Sequence, residues 1–258
     1  MEAQKIIITG GATRIGAAIA EKLSGPNKEI VIHFNKSKIK AENLKKKLRK
    51  YGTKVYLVKG NLSKEKDINK IIKFAKSKLK YFDCLVNNAS LFENDKIENF
   101  KINNWEKHIS TNLRAPAILS KEFSKNVRGK KNNIINIIDQ RVFKLTPYFF
   151  SYTISKTGLY TLTKTSAMSL SPKIRVNGIA PGPTIKNKRQ SEKHFRKQYL
   201  ATPLKKQVDV GEICNAVDFL IKNSSITGQV LAIDSGQSLN WQTPDIMRGK
   251  EWKKIILK

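Results

Sequence analysis

Cysteine is nearly absent: Cys84 and Cys214 are the only two in 258 residues. They are too few and too far apart for a disulfide framework or a thiolate metal site, so a reducing, cytoplasmic compartment is expected. Histidine is equally scarce, with three residues and no metal-ligand spacing, and no metal is expected. No apolar run approaches the roughly 20 residues needed to span a bilayer, so no membrane partner is expected. The apolar Ile6-Ile7-Ile8 near the start runs straight into Thr9-Gly10, which is unlike a secretory or transit segment. Acidic residues are also sparse, 20 against 50 Lys and Arg, for a net charge of +30. Such an excess raises the question of nucleic acid. The cations, however, are mostly Lys, scattered over almost every expected helix among many Ile and Asn, without interleaved aromatics or zinc-finger spacing. The pattern reads as a compositional bias, so no specific nucleic-acid partner is expected. Weak, salt-sensitive attraction to polyanions and small anions is.

What is present is an alternation of short β-branched runs and helical patterns over a length that suits one α/β domain spanning 1–258. Strands are expected at Lys5 to Thr9, Glu29 to Phe34, Lys54 to Val58, Cys84 to Val86, Asn133 to Ile138, Arg175 to Ile179 and Gln229 to Ile233. Helices are expected near Ile15 to Leu23, Ile39 to Lys50, Glu65 to Lys80, Trp105 to Lys125, Phe149 to Leu170 and Gly211 to Lys222. Continuous apolar strands separated by helices predict a doubly wound parallel sheet of about seven strands with helices on both faces, a Rossmann fold.

In such a sheet ligands bind beyond the carboxyl ends of the strands. The first end carries Thr9-Gly10-Gly11-Ala12-Thr13-Arg14-Ile15-Gly16, where glycines allow a tight turn and the next helix offers free N–H groups to a diphosphate. The second end reads His33-Phe34-Asn35-Lys36-Ser37. An Asp or Glu about 20 residues after the turn would hold a ribose 2′-OH, yet Ile30 to Ile39 contains no carboxylate. Lys36 with Asn35 and Ser37 suits a 2′-phosphate, unless Lys36 is one more surface lysine. Further on, Tyr152 and Lys156 stand four apart in a helical run and share a face. A nearby cation favours the phenolate and would lower a Tyr pKa from about 10.

Together these residues resemble the short-chain dehydrogenase/reductase family from about Lys5 to about Leu239. The resemblance is carried by the glycine turn, Asn87-Asn88-Ala89, Asn112, Tyr152-x-x-x-Lys156 and Arg175-Val-Asn-Gly-Ile-Ala-Pro-Gly182. It implies NAD(P)(H) along the strand ends and Tyr152 as proton donor. Lys156 would hold the nicotinamide ribose and lower the Tyr pKa, and Asn112 would support a relay water. A homotetramer, or at least a homodimer, is also implied. Pro181, Gly182 and Thr184 resemble the turn beside the nicotinamide amide. Asn61-Leu62 stands where an Asp often meets the adenine amino group, and the amide oxygen of Asn61 is expected to accept there. The segment 186–200, with Lys188, Arg189 and Arg196, resembles the substrate-covering segment. Its charges would meet either an anionic tail or water. The tail 240–258, with Trp241 and Trp252, would pack on a neighbouring subunit or rim the site.

Where the family usually has serine, thirteen residues before the tyrosine, this chain has Asp139; where the turn usually has glycine, it has Arg14. These departures resemble the pteridine reductase branch, which includes dihydromonapterin and alternative dihydrofolate reductases. So do Asn88-Ala89-Ser90 followed by Phe92, and the segment His33 to Ser37, which in that branch grips the 2′-phosphate. The branch implies NADPH and a pterin or folate substrate. The flat ring would be sandwiched between Phe92 and the nicotinamide, with Ser90, Asp139, Arg14 and Tyr152 as contacts. Each position has a plainer reading: Phe92 as loop packing, Ser90 as a replaced glycine, Asp139 as a cap of its turn. Two other functions stay open, a 3-oxoacyl or small-carbonyl reductase and a catalytically silent NADP-binding regulator.

Overall fold

The computed structural model describes residues 3–129, 132–187 and 190–240. In chain order the elements are β1 (Gln4–Ile8), α1 (Arg14–Lys22), β2 (Lys28–Phe34), α2 (Lys38–Arg49), β3 (Lys54–Lys59), α3 (Glu65–Leu79) and β4 (Cys84–Asn87). There follow α4 (Ile102–Ile109), a π-helical turn (Ser110–Arg114), α5 (Ala115–Ser124), β5 (Asn132–Ile137) and α6 (Phe150–Leu170). The last are β6 (Ile174–Pro181), α7 (Glu192–Leu200), α8 (Val210–Lys222) and β7 (Val230–Ile233). The strands lie in the order β3-β2-β1-β4-β5-β6-β7 and every neighbouring pair is parallel. The chain steps outward from β1 to β3 and then crosses back to β4, so the order reverses between β1 and β4. Their carboxyl ends open the crevice.

The apolar runs explain the two layers of helix. Successive strand side chains point to opposite faces. Ile6, Ile8, Ile30 and Ile32 meet Ile19 of α1, Leu44 of α2 and Val217 of α8. Ile7, Val31 and Leu85 meet Ile71 of α3 and Leu119 of α5 on the other face. The register pairs Ile6 with Ile30 and Ile8 with Ile32, so a slip of one residue would turn both layers inside out. Each fully buried Ile or Leu contributes roughly 1.5–3 kcal/mol. Among the described residues no helix is long and apolar enough to cross a membrane.

One expected helix is in fact divided. Trp105 to Lys125 breaks into α4, the π-helical turn and α5, with Pro116 in the first turn of α5. Proline has no N–H to give the carbonyl four residues back, which here is that of Asn112. The backbone takes a wider turn at that point, and Asn112 sits inside it, fully buried. Against this turn α6 packs closely. A Cβ added at Gly158 would lie 2.6 Å from Leu113 Cδ2, which gives that mid-helix glycine a packing reason.

Candidate active site

At the end of β1 the glycine turn is locked by close approach. Gly10 has φ +60, and an added Cβ would stand 2.9 Å from Ala89 Cα. At Gly16 in α1 it would stand 2.4 Å from both the Gly10 carbonyl oxygen and Asn88 Nδ2. Asn88 Nδ2 donates to the carbonyls of Thr9 (2.9 Å) and Gly10 (3.1 Å), and Thr9 Oγ1 accepts from the amides of Asn88 and Ala89. The ends of β1 and β4 are thereby stitched together at the crevice. Thr13, at the start of α1, makes no side-chain cap, so the first N–H groups of α1 stay available to an anion.

The neighbouring strand ends are built differently from expectation in two places. His33 does not project with Asn35 and Lys36, which are exposed; it is buried under the glycine turn. Its Nδ1 accepts from Gly10 N at 3.1 Å, and Nε2 lies 3.0 Å from the Gly60 carbonyl oxygen. Asn61 Oδ1 accepts from Ser63 N (3.1 Å) and Ser63 Oγ (3.0 Å), which uses both lone pairs on its own turn. The amide oxygen expected to face an adenine amino group is already occupied. Leu62 is buried, and Ser37 stands at the start of α2.

Beyond β5 the expected acid cluster does assemble. Tyr152 Oη donates to Asp139 Oδ2 at 2.8 Å. Asp139 Oδ1 also accepts from Arg141 N (2.9 Å) and Arg141 Nη1 (3.2 Å), so the aspartate caps its turn and engages the phenol at once. Lys156, 2% exposed, donates from Nζ to the Ile137 carbonyl at 2.7 Å and lies 5.8 Å from the Tyr152 ring centre. Burial pushes the ammonium pKa down to about 8, against the opposing pull of Asp139. The phenol moves the other way from expectation. Burial first, and then the charge of Asp139, raise Tyr152 well above its ordinary value, while Arg141 and Ser90 oppose them. Tyr152 is therefore held as a phenol. Asn112 Oδ1 accepts from Leu91 N (2.8 Å) and Ser90 Oγ (3.3 Å), and its Nδ2 donates to Leu91 O and to Ser155 Oγ of α6.

Sequence reasoning assigns no role to Arg141, Phe149, Asp95, His108 or Ser151, and all five shape this cluster. Phe92 stacks on Phe149 at 4.5 Å and 6°, and meets Tyr152 edge-on at 4.7 Å. The Arg141 guanidinium lies 5.3 Å and 4.7 Å from the two phenylalanine centres. Phe149 holds left-handed backbone (φ 58), a costly conformation for a bulky residue. Phe92 is thus partly loop packing, with one face already covered. Behind it, Glu93 N donates to His108 Nε2, so the neutral ring carries its proton on Nδ1 and donates to Ser151 Oγ at 2.7 Å. Ser151 in turn donates to Asp95 Oδ2, while its own amide donates to Asp95 Oδ1. Three buried side chains clamp the Phe92 segment to α6. A scarce histidine inside an amphipathic helix was the one signal available beforehand.

Arg14 takes an unexpected partner. Its Nη1 and Nη2 donate to the carbonyls of Lys186 and Ile185, both at 2.8 Å, tying the glycine turn to the segment after β6. Thr184 is buried, with its hydroxyl donating to the Gly182 carbonyl at 3.0 Å rather than presenting to the crevice. Gly182 itself cannot carry a side chain, since a Cβ would lie 2.6 Å from Asp234 Cα; Pro181 is buried beside it. Arg196 points to solvent on α7. Lys188, Arg189, Trp241 and Trp252 lie outside the described residues.

These strand ends, with the glycine turn at one side of the crevice and the phenol, carboxylate and ammonium at the other, are those of a nucleotide-dependent reductase. A family model described as short chain dehydrogenase matches residues 4–197, and the chain belongs to that family. Among solved structures, FolM alternative dihydrofolate reductase 1 of Brucella canis, complexed with NADP, is 40% identical. It superposes with a TM-score of 0.90, covering 95% of this chain and 97% of that one. The Brucella suis protein of the same description, also with NADP, is 39% identical at a TM-score of 0.90 over 95% and 98% of the two chains. By sequence, the 3-oxoacyl-[acyl-carrier-protein] reductase FabG of Buchnera aphidicola is 30% identical over 236 residues, 89% of this chain and 95% of that one.

Proposed function

We propose that this chain is an NADPH-dependent pteridine reductase, a single reductase domain that reduces a C=N bond of a dihydropterin or dihydrofolate to the tetrahydro form. The observation that carries the reading is the 2.8 Å contact between Tyr152 Oη and Asp139, with Arg141 completing the carboxylate's shell. A carboxylate accepts from ring N–H and amino groups, which a pterin offers and a simple ketone does not. Tyr152, kept protonated by burial and by Asp139, is a proton donor at neutral pH. The proton goes to the ring nitrogen beside the reduced carbon. The face of Phe92 away from Phe149 is the stacking surface for the flat ring.

The cofactor fits the residues present. The cradle between Gly10, Gly16 and Asn88 admits no Cβ, and the uncapped start of α1 offers N–H groups to a diphosphate. Arg14 and Ile15 flank it; Asn35, Lys36 and Ser37 take the 2′-phosphate, and Leu62 and Asn61 border the adenine, with the Asn61 side-chain oxygen held by Ser63. Ala89, Lys156, Pro181, Gly182 and Thr184 border the nicotinamide half. When bound, NADPH supplies the hydride.

The 3-oxoacyl reductase reading has the FabG relatives in its favour. Against it, a carbonyl oxygen would face the Asp139 carboxylate, acceptor to acceptor. Purified protein is to be mixed with NADPH and, separately, dihydrofolate, dihydrobiopterin, dihydromonapterin and an acetoacetyl thioester, following nucleotide absorbance. Oxidation with a pterin is expected; oxidation with the thioester alone would sink the pterin reading. Tight nucleotide binding without turnover on any of them would favour a silent regulator.

A further inference from the structure

His33 touches neither the phenol nor the carboxylate, yet it joins three successive strand ends on the nucleotide side of the crevice. Its own carbonyl accepts from Gly11 N at 3.1 Å, its Nδ1 accepts from Gly10 N at 3.1 Å, and Nε2 reaches the Gly60 carbonyl at 3.0 Å. Gly60 N in turn donates to Phe34 O at 3.1 Å. The ring is 2% exposed and follows Ile30, Val31 and Ile32, all fully buried apolar residues. A polar group in such a place is tolerated only with its hydrogen bonds made, and both nitrogens have partners.

The partners fix the tautomer. An amide N–H can be received only by an unprotonated nitrogen, so Nδ1 is bare and the proton of the neutral ring sits on Nε2, facing the Gly60 carbonyl. Protonation would place a second donor at Nδ1 against the Gly10 N–H. That amide cannot turn away cheaply: Gly10 is already in left-handed backbone, packed so closely that an added Cβ would stand 2.9 Å from Ala89 Cα. Burial keeps the ring neutral and its pKa below the ordinary value, while the Gly60 bond and the charge of Asp67 on α3 pull upward. Asp67 also accepts from Asn61 N at 2.7 Å, so the charge facing the imidazole belongs to the third strand end as well.

We propose that His33 is a positioning residue of the nucleotide site: its neutral, Nε2-protonated imidazole sets the glycine turn against the ends of β2 and β3, and its protonation weakens dinucleotide binding. The inference rests on the NADPH reading above. It makes one histidine the acid-sensitive hinge pin between the diphosphate cradle and the residues that follow His33 and Gly60.

Long-range proton–nitrogen spectra of the imidazoles, with and without NADPH, read the tautomer directly. The Nε2–H pattern is expected for His33, with protonation only below the pH at which an ordinary histidine titrates. Two variants split the links: His33→Asn retains an acceptor near Gly10 and loses the reach to Gly60, whereas His33→Gln keeps the reach and loses the acceptor. His33→Gln is expected to weaken NADPH binding about tenfold. Wild type should lose more affinity than either variant as pH falls below the ordinary histidine value, beyond the part due to the cofactor phosphate, which all three share. An Nδ1–H tautomer, or variants with wild-type Kd and the same pH profile, would overturn the role of His33 and leave NADPH binding intact. Wild-type protein that binds no NADPH at any pH would instead remove the cofactor reading and this proposal with it. Should the variants fail to fold, the wild-type tautomer and pH profile still decide.

Discussion

Asp139 receives three donors, the Tyr152 phenol, the Arg141 amide and the Arg141 guanidinium, and so works as a fixed negative charge beside a protonated tyrosine. Under the pterin reading, Asp139→Ser should lower kcat/KM for the dihydropterin about 100-fold and leave NADPH affinity nearly unchanged. Steady-state kinetics with a separate nucleotide titration would show it, and undiminished pterin turnover would remove the role given to the carboxylate. Lys156 makes a prediction in pH. Its folded pKa of about 8 lies below the ordinary 10.5, so between these values the unfolded chain holds the proton more tightly and stability rises with pH. The cost of the buried charge is in full force below pH 8 and is relieved towards 10.5. Denaturant unfolding of wild type and Lys156→Met should therefore converge as pH rises through that window, by at most about 1.4 kcal/mol per pH unit. Turnover should fall on the same alkaline limb, with an apparent pKa belonging to the coupled Tyr152 and Lys156.

Among elements, the π-helical turn and the clamp behind Phe92 decide where the site residues point. Pro116→Ala restores an N–H able to reach the Asn112 carbonyl and so favours an unbroken α-helix. A helix of equal or greater stability is expected, together with a loss of turnover as the Asn112 amide rotates off Leu91 and Ser155; thermal melts and kinetics on one preparation separate the two. Ser151→Ala removes the link between His108 and Asp95 and leaves both buried groups short of a partner. It should cost about 1–3 kcal/mol and speed amide hydrogen exchange in 91–100, raising the pterin KM more than it changes NADPH affinity. Unchanged exchange there would show that the clamp does not hold the segment. His108 adds a pH dependence, because burial lowers its pKa. Its contribution to stability is complete above the ordinary value near 6.5 and is lost as pH falls through the lower folded value.

At the scale of the molecule the charge of +30, which the sequence scatters over almost every helix, acts as a long-range field. Retention on heparin or binding to mixed-sequence DNA should be measurable at low ionic strength and collapse by about 0.2 M salt, with no preference among sequences. Binding that survives high salt or selects one sequence would contradict this. The same field attracts small anions, so the NADPH association rate should fall as salt is added.

The alternation of runs was enough to read the parallel sheet, and the four-residue spacing enough to place Tyr152 and Lys156 on one buried face of α6, because both are local properties of the chain. The glycine turn was legible for the same reason. Only the tertiary structure decided what touches these residues. Arg14 reaches carbonyls 171 and 172 positions away, His33 lies between the turns of β1 and β3, and Ser151 meets Asp95 and His108 from other elements. Local sequence carries no trace of such partners. The direction of the Tyr152 shift shows the cost of that gap. A lysine one turn away on the same helix predicts a phenolate, but burial and the Asp139 carboxylate outweigh an ammonium whose bond goes to the Ile137 carbonyl, and the tyrosine keeps its proton.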